Sequence, residues 1–195
     1  MIKESTMENA KPPELWEVNT LGEVCDFFNG FAFKSKDSID SSNTQVIRMG
    51  NLYKNKLNLN RKPAFYPDNF TSEYKKYLLR ENDLIISLTG TTGKEDYGYT
   101  IKIPKTDKNL LLNQRIAKFI IKDKKVINRE FLFQFLLSRT FLDELYKTAN
   151  GTRQANLSTA TMKDLSISFP SFDKQKQIVA ILDKAFAAID TAKAN

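Results

Sequence analysis

The stretch Asp83-Leu84-Ile85-Ile86-Ser87-Leu88-Thr89-Gly90-Thr91-Thr92-Gly93-Lys94 holds the reading that decides the fold. Residues 84–88 are apolar at every position but Ser87. A strand with one face in water alternates apolar and polar side chains, so an apolar run that does not alternate predicts a strand buried on both faces. The segment that follows is punctuated by Gly90, Gly93 and Gly98 and reads as a polar loop.

Working outward, Phe27-Phe28-Asn29-Gly30-Phe31-Ala32-Phe33 reads as strand, tight turn, strand. Val46-Ile47-Arg48-Met49 reads as a strand ending at Gly50-Asn51, and residues 55–60 as an exposed strand or loop. Pro63 and Pro67 bracket Phe65-Tyr66 in an irregular segment, and further strands are predicted at 99–103, 116–121 and 166–169. The first long helix is predicted from Asn128 to Ala149. Asn128 caps it, Glu130 suits its positive end, and Asn150-Gly151 stops it. Its apolar stripe is Phe131, Leu132, Phe135, Leu136, Leu142, Leu145 and Tyr146. A second helix begins near Asp173. Ile178, Leu182, Ala185 and Ile189 form a heptad-like seam along it, widened by Val179, Ile181 and Phe186. That seam suits either a partner helix or the helix's own domain. The expected fold class is α+β: a disordered arm at 1–11, an irregular β-rich domain with a packed helix over 12–170, and a coiled-coil-forming helix over 171–195.

Composition narrows the function. The chain has 195 residues, 41% of them hydrophobic and 14 of them Phe, which excludes a disordered chain. With 27% charged residues and no apolar run near the ~18–20 residues a bilayer needs, it is not a membrane bundle. The first 16 residues contain no apolar core of a signal peptide. One cysteine, Cys25, forms neither an internal disulfide nor a multi-thiolate metal site, so a reduced, cytoplasmic setting is expected. The absence of histidine excludes Ser-His-Asp triads, Cys-His pairs and histidine metal sites. The net charge of +7 is uneven: residues 54–80 carry seven basic and two acidic side chains, residues 102–125 eight and two, and residues 1–45 four and eight. Two basic blocks suit a surface facing a polyanion; the plainer reading is a solvated lysine-rich surface.

Three polar segments are candidate contact loops. Thr89-Gly90-Thr91-Thr92-Gly93-Lys94-Glu95 looks like a phosphate loop, but only two residues separate its glycines and Glu95 follows the lysine. The Walker pattern needs four residues and then Ser or Thr, so nucleotide hydrolysis is rejected. Thr91, Thr92 and Lys94 still suit a phosphate or a base edge, or else form an exposed turn. In Gly151-Thr152-Arg153-Gln154-Ala155-Asn156-Leu157-Ser158, Arg153 suits guanine and Gln154 and Asn156 suit adenine. Asn156 serves equally well as a cap. Gln114 and Arg115 are readers or loop-fixing residues. The sequence contains neither Asn-Pro-Pro-Tyr nor Asp-Pro-Pro-Tyr, and it has no glycine-rich cofactor loop. No catalytic or metal-binding residue is assigned.

Several segments together resemble the specificity (S) subunit of bacterial type I restriction–modification enzymes. They are Leu21-Gly22-Glu23-Val24, Gly30-Phe31-Ala32-Phe33-Lys34-Ser35, Ile47-Arg48-Met49-Gly50-Asn51, Asp83 through Lys94, Leu112-Asn113-Gln114-Arg115-Ile116-Ala117, Gly151 through Ser158, and Pro170 through Asp183. Their order and spacing span residues 16–190. The resemblance implies a target recognition domain that reads half of a split DNA site. It also implies a conserved helix that joins an antiparallel coiled coil and docks modification subunits. Those subunits would bind S-adenosylmethionine and methylate adenine, and a restriction subunit would use ATP, so this chain is expected to bind no cofactor itself. DNA contacts are then expected from Lys34, Thr91, Thr92, Lys94, Gln114, Arg115, Arg153, Gln154 and Asn156, and a partner-helix interface from Ile178, Leu182, Ala185 and Ile189. The host would be bacterial or archaeal. S subunits of this kind usually carry two recognition domains and two helical regions, whereas this chain holds one of each. Its last helix is short, and Lys174 stands where a glutamate is usual before Gln175. It therefore reads as the first half of a longer subunit or as a half-size subunit that self-associates. The alternatives from other classes are a protein-interaction module without DNA contacts and a catalytic subunit; the missing signatures argue against the latter.

Overall fold

The computed structural model describes residues 16–148 and 154–194. The predicted arm at 1–11 and the helix stop at Asn150-Gly151 lie outside the described residues.

The fold opens with β1 (Glu17–Thr20), which runs into one helical turn, α1 (Leu21–Val24). A capping box makes this a helix rather than a plain turn. Thr20 N donates to Glu23 Oε2 at 2.6 Å, and Glu23 N donates to Thr20 Oγ1 at 3.3 Å. There follow β2 (Cys25–Asn29), β3 (Thr44–Ile47), the hairpin β4 (Leu52–Tyr53) and β5 (Lys56–Leu57), β6 (Phe65–Tyr66) and α2 (Phe70–Glu73). The middle of the chain supplies β7 (Leu84–Ser87), β8 (Thr89–Thr91), β9 (Thr100–Lys102), β10 (Asn109–Leu112) and β11 (Ile116–Ile121). The last third holds α3 (Arg129–Leu137), α4 (Arg139–Lys147), β12 (Gln154–Asn156), α5 (Thr159–Lys163), β13 (Ser166–Phe169) and α6 (Phe172–Ala194).

Strand β7 behaves as its composition requires. It lies inside an antiparallel sheet of order β2-β11-β7-β9, and all four of its residues are buried. Leu84 and Ile86 enter one core, which the helices cover, while Ile85 enters a second. That second core also contains Ile47, Leu110 and Leu112, from a sheet of order β10-β3-β6 in which β10 and β3 run parallel. Val46, Tyr66 and Leu111 of the same sheet enter a third core with Phe33, Phe70 and Tyr74 packed on it. The order is thus helices, sheet, sheet, aromatic layer, which gives continuous apolar strands a place on both sides. Ser87, the one polar residue of β7, accepts from Tyr99 N at 3.0 Å.

Several elements differ from the sequence reading. The helix predicted over 128–149 is two helices. Asn128 caps the first as expected, accepting from Glu130 N and Phe131 N. Ser138, however, is extended at φ −71°, ψ 148°, and its side chain accepts from Phe141 N to start a second. Serine competes with the helical backbone for hydrogen bonds, so it favours a cap over continuation. The strand expected through Met49 ends at Ile47, and Met49, Gly50 and Asn51 form a 3-10 turn. The second strand expected after Gly30 is only an isolated bridge, Phe31 to Asn113. Lys54 and Asn55, both at positive φ, make a two-residue hairpin turn from the segment read as strand or loop. Phe65-Tyr66, read as irregular, pairs with β3.

Cys25 is buried, and its thiol donates to Leu21 O at 3.1 Å. Burial pushes the thiol up to about 12, so it stays protonated and is no nucleophile at neutral pH. Among the described residues no group of three or more Asp, Glu, Cys or His is placed to hold a metal ion, and no helix is long and apolar enough to cross a membrane.

Candidate nucleic-acid interface

The turn carrying Gln114 and Arg115 is shaped by the glycine-aromatic segment far upstream. Phe31 N donates to Leu112 O at 2.9 Å, Gln114 N donates to Phe31 O at 3.0 Å, and Gly30 N donates to Ile116 O at 3.1 Å. Gly30 is required for this approach, because a Cβ there would lie 2.2 Å from the Asn113 carbonyl oxygen. Gln114 and Arg115 are both exposed. With Asn113 they line a cleft of about 400 Å³, whose other walls are Phe33, Ser35, Arg48, Met49 and Gly50. Three of the segments on which the resemblance rests therefore meet at one concave surface. Exposed Lys34 lines a smaller neighbouring cleft of about 120 Å³ with Phe31, Phe33, Asp37, Phe70 and Tyr74.

The glycine loop is anchored at both of its ends. β8 pairs antiparallel with β12, which sets Thr91 opposite Gln154 and Thr89 opposite Asn156. Two of the polar segments thus share a small sheet. Asp96 accepts from Thr91 N and from Thr91 Oγ1, each at 2.7 Å, so the Thr91 hydroxyl holds the loop's own base. Desolvation pushes the Asp96 carboxyl up, but the Thr91 bonds outweigh it and hold it below its ordinary range. Beyond Gly93, at φ +77°, Glu95 takes a bidentate pair from Arg139 on α4, at 2.6 and 2.7 Å. Those bonds hold the Glu95 carboxyl below its ordinary range. Thr92, Gly93 and Lys94 stand exposed between these two anchors. Arg153 lies outside the described residues, as does the side chain of Gln154. Asn156 is exposed, and the cap of α5 falls instead to Ser158, which accepts from Ala160 N and Thr161 N.

Residues 13–195 match the Type I restriction modification DNA specificity domain. The chain belongs to that family. It is 30% identical over 84% of its length to the type I restriction enzyme MjaVIII specificity subunit of Methanocaldococcus jannaschii, covering 38% of that protein. It is 29% identical over 99% of its length to the EcoAI specificity subunit of Escherichia coli, covering 35%. The chain thus spans little more than a third of these relatives. In fold it resembles the crystal structure of a type I restriction–modification S subunit from M. genitalium, with a TM-score of 0.63 at 16% identity, over 97% of this chain and 43% of that one.

Within this specificity-domain fold the two basic blocks differ. In the second, Lys102 pairs with Glu130, Lys118 with Asp83 at 3.3 Å and Lys122 with Asp26 at 3.9 Å, so part of its charge is answered within the domain. In the first, none of the seven cations forms an ion pair among the described residues. Lys54, Lys56, Arg61 and Lys62 lie exposed on and beside the β4–β5 hairpin.

The seam on α6 is divided rather than free along its length. Val179 is buried and Ile178 half-buried against the domain's own core. Leu182 is half-buried and Ala185 exposed, while Phe186 and Ile189 are each 47% exposed. Ile181, 67% exposed, is open as well, so the seam is covered at its start and open from there outward. Three residues of this region escaped the sequence reading: Glu95, Asp96 and Arg139. Their roles depend on partners that only the fold brings near. The one sequence signal was a pair of acids directly following the glycine loop.

Proposed function

We propose that this chain is the reading half of a type I restriction–modification specificity subunit. It recognises one half of a bipartite duplex DNA site and docks modification subunits through α6. A restriction subunit joins through the same complex, in the cytoplasm of a bacterium or archaeon. The chain itself transforms nothing and binds no cofactor; S-adenosylmethionine and ATP belong to its companions. Unpaired cations of the 54–80 block grip phosphates, a contribution that is independent of sequence and weakens with salt. Discrimination comes from Thr92 and Lys94, from Gln114 and Arg115, and from Arg153, Gln154 and Asn156, with roughly 1–3 kcal/mol for each good bidentate base contact. Thr91 serves by holding the loop. One domain reads few base pairs, so companions add most of the affinity.

The observation that carries this reading is the meeting of three family segments at the cleft of Gln114 and Arg115, beside a hairpin of unpaired cations. The test is methylation mapping of a genome that carries the intact system. The parent is expected to mark a bipartite motif. Lys94→Ala and Arg153→Ala are expected to weaken or relax one half of it and leave the other unchanged. An unchanged motif in both variants refutes the loop assignment. The absence of any motif that depends on this subunit refutes the reading as a whole.

A further inference from the structure

We propose that Arg48 is a DNA-phosphate anchor at the cleft, a contact that lies outside both basic blocks and outside the polar loops. The inference rests on the DNA-reading proposal. Arg48 leaves β3 and opens the 3-10 turn, half-exposed, and its side chain lines the cleft with Ser35, Gln114 and Arg115. Its guanidinium carries five donors, yet it enters none of the ion pairs and side-chain hydrogen bonds among the described residues. An arginine with no carboxylate partner, on the wall of a polar cleft, is open to an external anion.

The backbone beneath it is held tightly. Arg48 N donates to Asn51 Oδ1 at 2.8 Å, and Asn51 N donates back to Arg48 O at 2.8 Å. The Asn51 amide donates to Asn58 O at 3.0 Å and to Arg61 O at 2.9 Å. Asn51 is only 1% exposed, so a fully bonded buried amide ties Arg48 to the cationic hairpin. Next to Arg48, the Met49 sulfur accepts from Thr89 Oγ1 at the start of β8, which joins the same turn to the glycine loop. Arg48 therefore stands where hairpin, glycine loop and the turn of Gln114 converge. Phosphate is the fitting ligand. A planar guanidinium matches its oxygens in bidentate fashion, and Asn51 ties the turn to the segment that carries the exposed cations of the hairpin. Two residues along, Gly50 faces open space: a Cβ there would meet nothing within 4 Å, so the turn leaves room for a nucleic-acid backbone to approach closely.

The test uses this chain and a random-sequence duplex of about 30 base pairs, with binding measured by anisotropy over a range of salt; each phosphate contact contributes about 0.9 to the slope of log K against log salt. Arg48→Met is expected to lower the slope by about one such contact and to weaken binding, with an unchanged melting curve. Arg48→Lys keeps the slope. Lys174→Met, which removes an equal charge from an exposed site on α6, also keeps it. A parental slope in Arg48→Met overturns the proposal, as does a loss matched by Lys174→Met. If Arg48→Met loses slope only together with its melting transition, Arg48→Gln is measured at a temperature where it is folded; a parental slope there overturns the proposal. A parent chain that binds with no salt dependence overturns the DNA-reading proposal as well.

Discussion

Asn128 N donates to Gln175 Oε1 at 2.8 Å, so the residue that caps α3 is itself held by the first turns of α6. The Gln175 amide completes the joint, donating to Val126 O and Pro170 O, each at 2.9 Å. With 0% exposure, Gln175 uses its hydrogen-bonding groups to fix the direction in which α6 leaves the domain. Replacing it leaves buried backbone groups unsatisfied. Gln175→Ala is expected to cost about 2 kcal/mol. The corresponding fall in melting temperature is roughly 4–8 °C. Calorimetry or thermal circular dichroism checks this, and an unchanged transition would show that water replaces the joint without loss.

Gly30 controls the cleft from a distance. A Cβ at this position collides with the Asn113 carbonyl, which cannot retreat without moving Gln114 and Arg115. Gly30→Ala is expected to lower stability by roughly 1–3 kcal/mol, as overpacking does. It should also weaken duplex binding at temperatures where the variant remains folded. A variant with parental stability would mean that the two segments separate freely.

The glycine loop should loosen in acid. The Glu95 and Asp96 carboxyls titrate lower in the folded chain than in the unfolded one, so the folded form binds their protons more weakly. Their contribution is complete above the unfolded range, near pH ~4, and is lost as the pH falls through the lower folded values. Melting temperature should therefore drop on acidification below about pH 4, and Glu95→Gln combined with Asp96→Asn should flatten that drop. Equal slopes in parent and variant would remove the loop anchors from the explanation.

The distal face of α6 should associate. Leu182, Phe186 and Ile189 continue the line on which Ile178 and Val179 meet the domain, but they extend past the surface that covers those two. Sedimentation of the chain at rising concentration is expected to show self-association. Phe186→Asp and Ile189→Asp should abolish it without altering the melting curve. A parent that stays monomeric across the range argues that the face serves a different helix.

Strand β7, the cap at Asn128 and the long terminal helix were legible in the residues because each is encoded locally, by an apolar run, a capping side chain or a heptad-like spacing. The break at Ser138 was hidden because the apolar stripe continues across it; the local hydrogen bond that Ser138 offers is visible only as a competing preference. The polar loops could be chosen by residue type, but whether a given group contacts DNA or braces the protein was not written there. Thr91 donates to Asp96, and no carboxylate among the described residues arrives beside Arg48.

By itself, then, the order of side chains determined that this chain builds a β-rich domain with a following helix and supplies polar, cationic loops. Only the tertiary structure decided which of those loops share a cleft, which cations remain unpaired and where α6 parts from the domain. The physical reason is range: periodicity and capping act over a few residues, whereas Gly30 meets Asn113, Arg139 meets Glu95 and Gln175 meets Asn128 only after distant segments have packed.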